Sequence, residues 1–302
     1  MPKARTRSSV ALVLTAALSA IALGRAAELP PLLPSPASFS TAKPGQLALS
    51  PEGDRVAVTD RFANRVYVFD AYGKLLWSAG EGVTLAQPTA VLWLSNKELM
   101  FSLWDSRVLL RVAEDDRQRI DTAADLSAAL GETGRVLRLY PRRDHTYLAL
   151  TETPDGLRHF DRSGRLLGVL IKGGSGRGCI GRTSSCALLA SGRLAVAGNP
   201  GAPVQIFDAD GKALIVADWN RPAAQNSWTA TAMAVDARER IWVADVTFAQ
   251  FRTYDQSGTL LDTRPFAVKT SRPVDMVVTS DNHLVVVDAS GRLDLYALGE
   301  ER

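Results

Sequence analysis

The segment "GGSGRGCIGRTSSC", Gly173 to Cys186, holds the densest set of chemically suggestive residues in the chain. From Gly176 it gives Gly-x-x-x-x-Gly-Arg-Thr, which differs from a nucleotide phosphate loop in carrying Arg182 where a lysine would reach the phosphates. A phosphate loop must open a helix whose N-terminal amides meet the anion. The residues that follow, "CALLASGRLAVAG", instead alternate about a Ser-Gly turn, the pattern of strand, turn and strand. The segment is therefore read as a connection between sheets. Its Cys179 and Cys186 are the only cysteines, and in an oxidising compartment they are expected to pair. Closing so short a ring would stabilise the fold by roughly 2–3 kcal/mol.

A second series is spread along the chain. Asp60, Asp105, Glu152, Asn199, Asp245 and Asp288 each stand at the end of an apolar run. Brought around one axis, such oxygens would suit calcium or another hard divalent cation, with Asp60, Asn199, Asp245 and Asp288 as candidate ligands. The competing role for each is to tie down the loop that follows it. Nearby stand Arg61, Arg107, Arg182, Arg221 and Arg272, interspersed with Phe62, Trp104, Trp219, Trp228 and Phe248. Arginines beside aromatics suit a small anionic or sugar-like ligand, or a protein partner. The candidate ligand-binding set is Arg61, Trp104, Glu152, Asn199, Trp228, Asp245, Phe248 and Arg272. Catalytic signatures are absent: there is no His-Glu-x-x-His and no Gly-x-Ser-x-Gly, and His145, His159 and His283 lack ligand spacing.

The elements that position these residues repeat. "VYVFDAYGKLL" from Val66, "LRHFDRSGRLL" from Leu157, "VQIFDADGKAL" from Val204 and "FRTYDQSGTLL" from Phe251 each join two alternating runs through aromatic-Asp-x-x-Gly. Alternation means half-buried strands, and Asp-x-x-Gly supplies a tight turn, so each copy is a hairpin. A degenerate copy begins at Val108 and a truncated one at Arg292. A further strand pair precedes every hairpin. Six units of four short strands at intervals of roughly 40–47 residues predict an all-β, six-bladed propeller with four-stranded antiparallel blades. The sixth unit ends after its third strand, so Pro36 to Ala42 is expected to supply the outer strand that closes the ring. "DTAADLSAALG", Asp121 to Gly131, reads as a short helix capped by Asp121 or Thr122. Trp77, Trp93 and Trp242 lie within strands and are expected in the core.

"VAVTDRFANRVYVFDAYGKLL" (Val56 to Leu76) and "IWVADVTFAQFRTYDQSGTLL" (Ile241 to Leu261) resemble NHL repeats, whose pattern is Val-x-Asp, Asn-Arg, then aromatic-Asp-x-x-Gly. The first carries Asn64 and Arg65; the second lacks the Asn-Arg pair. A more distant resemblance is to gluconolactonase-type propellers, which hold a divalent cation in the central channel with Glu, Asn and Asp. The Glu that this resemblance requires in the first inner strand is missing from "PGQLALS". The histidine chemistry of propeller lyases such as streptogramin lyase finds no matching cluster.

Residues 1–24 follow the order of a signal peptide: Lys3, Arg5 and Arg7, the apolar run Val10 to Leu23, then Ala22 and Gly24. The run is shorter than the ~20 residues a membrane-crossing helix needs. A Pro-rich lead-in, 25–35, would then precede a single domain, 36–302. The chain has 35 Lys+Arg against 32 Asp+Glu. Losing the leader's three or four cations brings the balance near zero, which removes the case for nucleic acid. The sequence thus predicts a periplasmic or secreted monomer without a transmembrane segment. It would bind a ligand or a protein through its long-loop face without performing chemistry. The alternative is a divalent-metal-dependent lactonase or esterase.

Overall fold

The computed structural model describes residues 35–41, 43–81, 85–181, 185–199, 202–217, 228–267 and 272–298. The expected leader, most of the expected lead-in, Arg182, Trp219 and Arg221 lie outside the described residues, as does the side chain of Asn199.

The chain begins with β1 (Ser35–Ser40) and then builds five consecutive antiparallel sheets. Blade 1 is β2 (Pro44–Leu49), β3 (Arg55–Asp60), β4 (Arg65–Asp70) and β5 (Leu75–Ala79). Blade 2 is β6 (Pro88–Ser95), β7 (Glu98–Leu103), β8 (Val108–Ala113) and β9 (Asp116–Asp125). A four-residue helix, α1 (Ser127–Leu130), follows. Blade 3 is β10 (Arg135–Pro141), β11 (Tyr147–Glu152), β12 (Gly156–Phe160) and β13 (Leu166–Lys172). Blade 4 is β14 (Ser185–Leu188), β15 (Leu194–Asn199), β16 (Ala202–Phe207) and β17 (Ala213–Val216). Blade 5 is β18 (Ala230–Val235), β19 (Ile241–Asp245), β20 (Gln250–Tyr254) and β21 (Leu260–Pro265). Blade 6 has β22 (Pro273–Val278), β23 (His283–Asp288) and β24 (Arg292–Ala297), and takes β1 as its outer strand, as expected. The inner strands β2, β6, β10, β14, β18 and β22 touch in turn and return to β2, so the ring is closed.

Local sequence dictates the hairpins. In blade 1 the Asp70 carboxylate accepts from Tyr72 N and Lys74 N at 3.0 and 2.9 Å, and Gly73 N donates to Asp70 O. Gly73 has φ 80°, a left-handed position open to glycine at no steric cost. Asp161, Asp208 and Asp255 repeat the same bonds in blades 3, 4 and 5. At the closure, Thr41 N and Oγ1 both donate to Gly291 O. A Cβ on Gly291, at φ 91°, would sit 1.6 Å from Thr41 O. Only glycine lets β1 dock there.

The core lies between blades, because each sheet face is covered by its neighbour. Trp77, Trp93 and Trp242 are all buried in it. Trp77 and Trp93 fill the gap between blades 1 and 2, and Trp242 packs among blades 4, 5 and 6.

Two expectations need correction. Asp121–Asp125 belong to β9, not to a helix; the helix is only Ser127–Leu130, and it is stopped by Gly131. Antiparallel pairing with β8 outweighs helix propensity there. No disulfide joins Cys179 and Cys186 in the structure. Cys186 is buried on β14, its N–H donating to Tyr140 Oη, and burial pushes its thiol up to about 12. The glycine-rich loop is held by a side chain instead. Gln205, fully buried on β16, accepts from Gly178 N at 2.7 Å and donates to Cys179 O at 3.0 Å. Ile180 N donates to Lys172 O and Gly174 N to Ile180 O, folding the loop back on itself. The next element is a strand, as the reading of this segment as a connection requires.

Candidate functional site: two mouths and a septum

The turns from first to second strand and from third to fourth gather at one mouth of the ring. The second-to-third loops and the blade-to-blade connections gather at the other, and most candidate residues sit on that long-loop mouth.

There the carboxylates tie down their own loops. Asp60 Oδ1 accepts from Lys43 N, Phe62 N and Ala63 N, each at 3.0 Å. Asp245 Oδ1 accepts from Thr247 N at 3.0 Å and Phe248 N at 3.2 Å, while its Oδ2 pairs with Arg252 at 2.7 Å. Asp288 accepts from Ser290 N and Arg272 N. Asp60 and Asp245 are fully buried. The phenylalanines whose amides they hold are exposed: Phe62 at 71% and Phe248 at 54%. A buried anion thus fixes the backbone beneath an exposed ring in both blade 1 and blade 5.

The structure brings Arg61, Trp104 and Glu152 into one arc. The Arg61 guanidinium lies 3.7 Å from the Trp104 ring centroid, and Arg135 reaches the same ring at 5.2 Å. Arg135 also pairs with Asp105 at 3.3 Å and Glu152 at 3.7 Å. Arg135 was not among the sequence candidates; only its place at the start of an inner strand hinted at it. Asp245, Trp228 and Phe248 form a second group around Arg252, which lies 4.5 Å from Trp228 and 5.7 Å from Phe248. Trp228 is only 6% exposed and packs beneath Arg252. Arg272 is exposed in blade 6, anchored through its amide to Asp288.

Halfway along the channel the inner strands carry polar groups. In five of the six blades the register of the inner pair shifts just before this level. Such bulges re-aim side chains. Arg138 of blade 3 meets Asp275 of blade 6 at 2.8 Å and donates to Val274 O at 2.9 Å. Asp275 also accepts from Leu47 N of blade 1 at 2.8 Å. Gln46 of blade 1 accepts from Leu139 N at 2.8 Å and donates to Leu139 O in blade 3. Burial pushes the Asp275 carboxyl up, and Arg138 pulls against it. These bonds form a septum between the mouths.

Beyond the septum, at the tight-turn mouth, lies a cavity of about 1050 Å³. The long loops do not border it. Among the described residues, no three His, Cys, Asp or Glu side chains are grouped to hold a metal ion. The histidines are dispersed: His283 Nδ1 lies 3.1 Å from Asp281, and His159 Nε2 lies 2.6 Å from Thr146 Oγ1. No described helix is long and apolar enough to cross a membrane.

No protein-family model and no curated protein sequence matches this chain. Solved structures do resemble it. A calcium-binding protein, regucalcin from Agrobacterium tumefaciens, superposes with a TM-score of 0.68 at 12% identity, covering 89% of this chain and 95% of its own. A Bacteroides thetaiotaomicron protein of unknown function gives 0.65 at 11%, covering 88% of this chain and 72% of its own. Virginiamycin B lyase from Staphylococcus aureus gives 0.56 at 11% identity, covering 89% of both chains. At such identities the likeness is one of fold, and it agrees with the β-propeller described above.

Proposed function

We propose that this chain is an exported binding module that takes a protein partner on its long-loop mouth through Phe62, Trp104 and Phe248, without performing chemistry. One observation carries the reading: two exposed phenylalanines are held from below by buried carboxylates. A loop backbone fixed in advance loses little entropy when the ring it carries docks, which favours a hot-spot role for that ring. The Arg61–Trp104–Arg135 stack adds a rigid cationic platform beside Phe62.

The rival reading is a divalent-metal-dependent lactonase or esterase, suggested by the gluconolactonase-type resemblance and by the calcium-binding regucalcin neighbour. The described donors do not fit it. Asp60, Asp245 and Asp288 are engaged with loop amides, and Asp275 in the channel already faces the Arg138 guanidinium. A cation there would have to displace a buried one.

Photo-crosslinking side chains placed at positions 62 and 248 are expected to capture the same partner in the compartment where the protein accumulates. A third at Tyr72, equally exposed at 72% but on the other mouth, serves as the control. Capture from Tyr72 alone overturns the reading, as does chelator-sensitive lactone hydrolysis by protein carrying one equivalent of calcium.

A further inference from the structure

The tight-turn mouth has its own chemistry, and nothing above depends on it. Its cavity is floored by the last apolar residue of each of the six inner strands: Leu49, Leu94, Pro141, Leu188, Val235 and Val278. Trp93 and Tyr147 line it as well. Six apolar positions around one axis make a cup that is greasy on every side. About 1050 Å³ lies just above the usual range of small-molecule sites, ~300–1,000 Å³, which are mostly apolar with a few convergent polar groups.

The rim is not charged evenly. Blade 3 alone contributes Arg142, Arg143 and His145 from its β10–β11 turn and Arg162 from its β12–β13 turn. One carboxylate, Asp144, shares that arc, and its Oδ1 accepts from Thr146 N and Oγ1. Its Oδ2 stands 4.0 Å from Arg142. Arg162 donates to a carbonyl, His145 O, at 3.3 Å, and both Arg143 and Arg162 are exposed. Three guanidiniums against one carboxylate leave the arc cationic. The other acids on the rim keep their charge but stand outside that arc, Glu52 on blade 1 and Asp236 and Glu239 on blade 5, where Asp236 is paired with Arg240. Glu52 accepts from Asn96, Glu239 from Ala190 N, and Asp236 from Arg240 and Trp242. Blade 6, across the axis, offers the uncharged Thr279 and Ser280.

We propose that this cup binds a small amphipathic anion, a carboxylate on an apolar body. The body would lie over the six-residue floor, with the head group on Arg143 and Arg162. Arginine forks match a carboxylate in pairs, and an apolar wall on one side strengthens the attraction by excluding water. The septum of Gln46, Arg138 and Asp275 gives the cup a bottom, so the ligand does not reach the long-loop mouth.

Calorimetric titration of the full chain with decanoate, decan-1-ol and decylammonium tests this. Decanoate is expected to bind, the alcohol more weakly and decylammonium weakest, with decanoate affinity falling as salt is raised. Arg143→Glu/Arg162→Glu should weaken decanoate about tenfold or more, the charges on both exposed groups being reversed. Arg61→Glu, on the opposite mouth, should leave it unchanged. The proposal is overturned if decylammonium binds as well as decanoate, if decanoate affinity is indifferent to salt, or if Arg61→Glu and not the double variant removes binding. The salt series on the unaltered protein decides the matter even if the double variant does not fold.

Discussion

The two mouths of this ring solve opposite problems with the same residue type. At the tight-turn mouth, aspartates such as Asp70, Asp161 and Asp255 close hairpins by accepting amides two and four residues on, and the turns stay low. Low turns leave the channel end open as a cup. At the long-loop mouth, Asp60 and Asp245 accept amides two and three residues on, and so raise Phe62 and Phe248 into solvent. A spacing difference of one residue separates a concave face from a displayed ring. An aspartate series in a propeller is therefore weak evidence for a metal until its amide partners have been counted.

The septum keeps the two mouths distinct, and breaking it should produce the largest effect. Arg138 and Asp275 are 13% and 7% exposed and belong to opposite blades. Asp275→Ala alone should cost about 3–5 kcal/mol in urea unfolding, because it strands a buried guanidinium. Arg138→Met/Asp275→Leu should recover most of that loss. A single variant within about 1 kcal/mol of the parent would mean that water enters at this level and that the mouths communicate.

Much of the scaffold was legible in advance, because propeller architecture is written in local signals. Aromatic-Asp-x-x-Gly marks a hairpin wherever it occurs, and the missing outer strand of blade 6 announced β1. The helix expected over Asp121–Gly131 failed because pairing with β8 is a tertiary matter that a capping pattern does not contain. The disulfide expectation failed for a similar reason. Nothing in the sequence near Cys186 shows that it faces Tyr140, while the residue that does hold the loop, Gln205, lies on a strand well downstream. The septum was hidden altogether. Gln46, Arg138 and Asp275 are far apart in the chain, and only ring closure with a bulge in each strand brings them into contact. The same closure floors the cup with Leu49 and its five counterparts, which read singly as ordinary strand ends.

The next effect in size concerns the ring's seam, which both mouths share. Gly291→Ala combines a left-handed backbone position with a Cβ overlapping Thr41 O. The backbone conformation alone costs roughly 1–3 kcal/mol. Relief of the overlap requires β1 to leave β24. Thermal unfolding should drop, and amide exchange should rise along β1 and β24 while the Gln46–Leu139 bonds of the septum stay protected. Uniform loss of protection around the ring would show that closure is cooperative with the septum rather than separate from it.

The smallest effect is acid-dependent and belongs to the tight-turn mouth. Bonds from Ser163 and Arg165 hold the Asp161 carboxyl down at about 2. Asp144 is lowered first by its bond from Thr146. Asp236 and Asp255 lie below their usual range because amide and side-chain bonds outweigh the opposing effect of burial. A carboxyl depressed on folding stabilises the fold above its unfolded value, about 3.9, and that contribution disappears as pH falls through the folded value. Stability should therefore decline between about pH 4 and pH 2. Exchange protection at Ser163, Arg165, Ser257 and Thr259 should fall in step, ahead of Leu139, whose partner Gln46 does not titrate. Asp161→Asn should remove the share of this decline that reports on its own turn and leave the rest of the curve in place. An Asp161→Asn protein with an unaltered acid limb would show that this turn takes no part in acid unfolding, and that hairpin geometry alone keeps the mouth low.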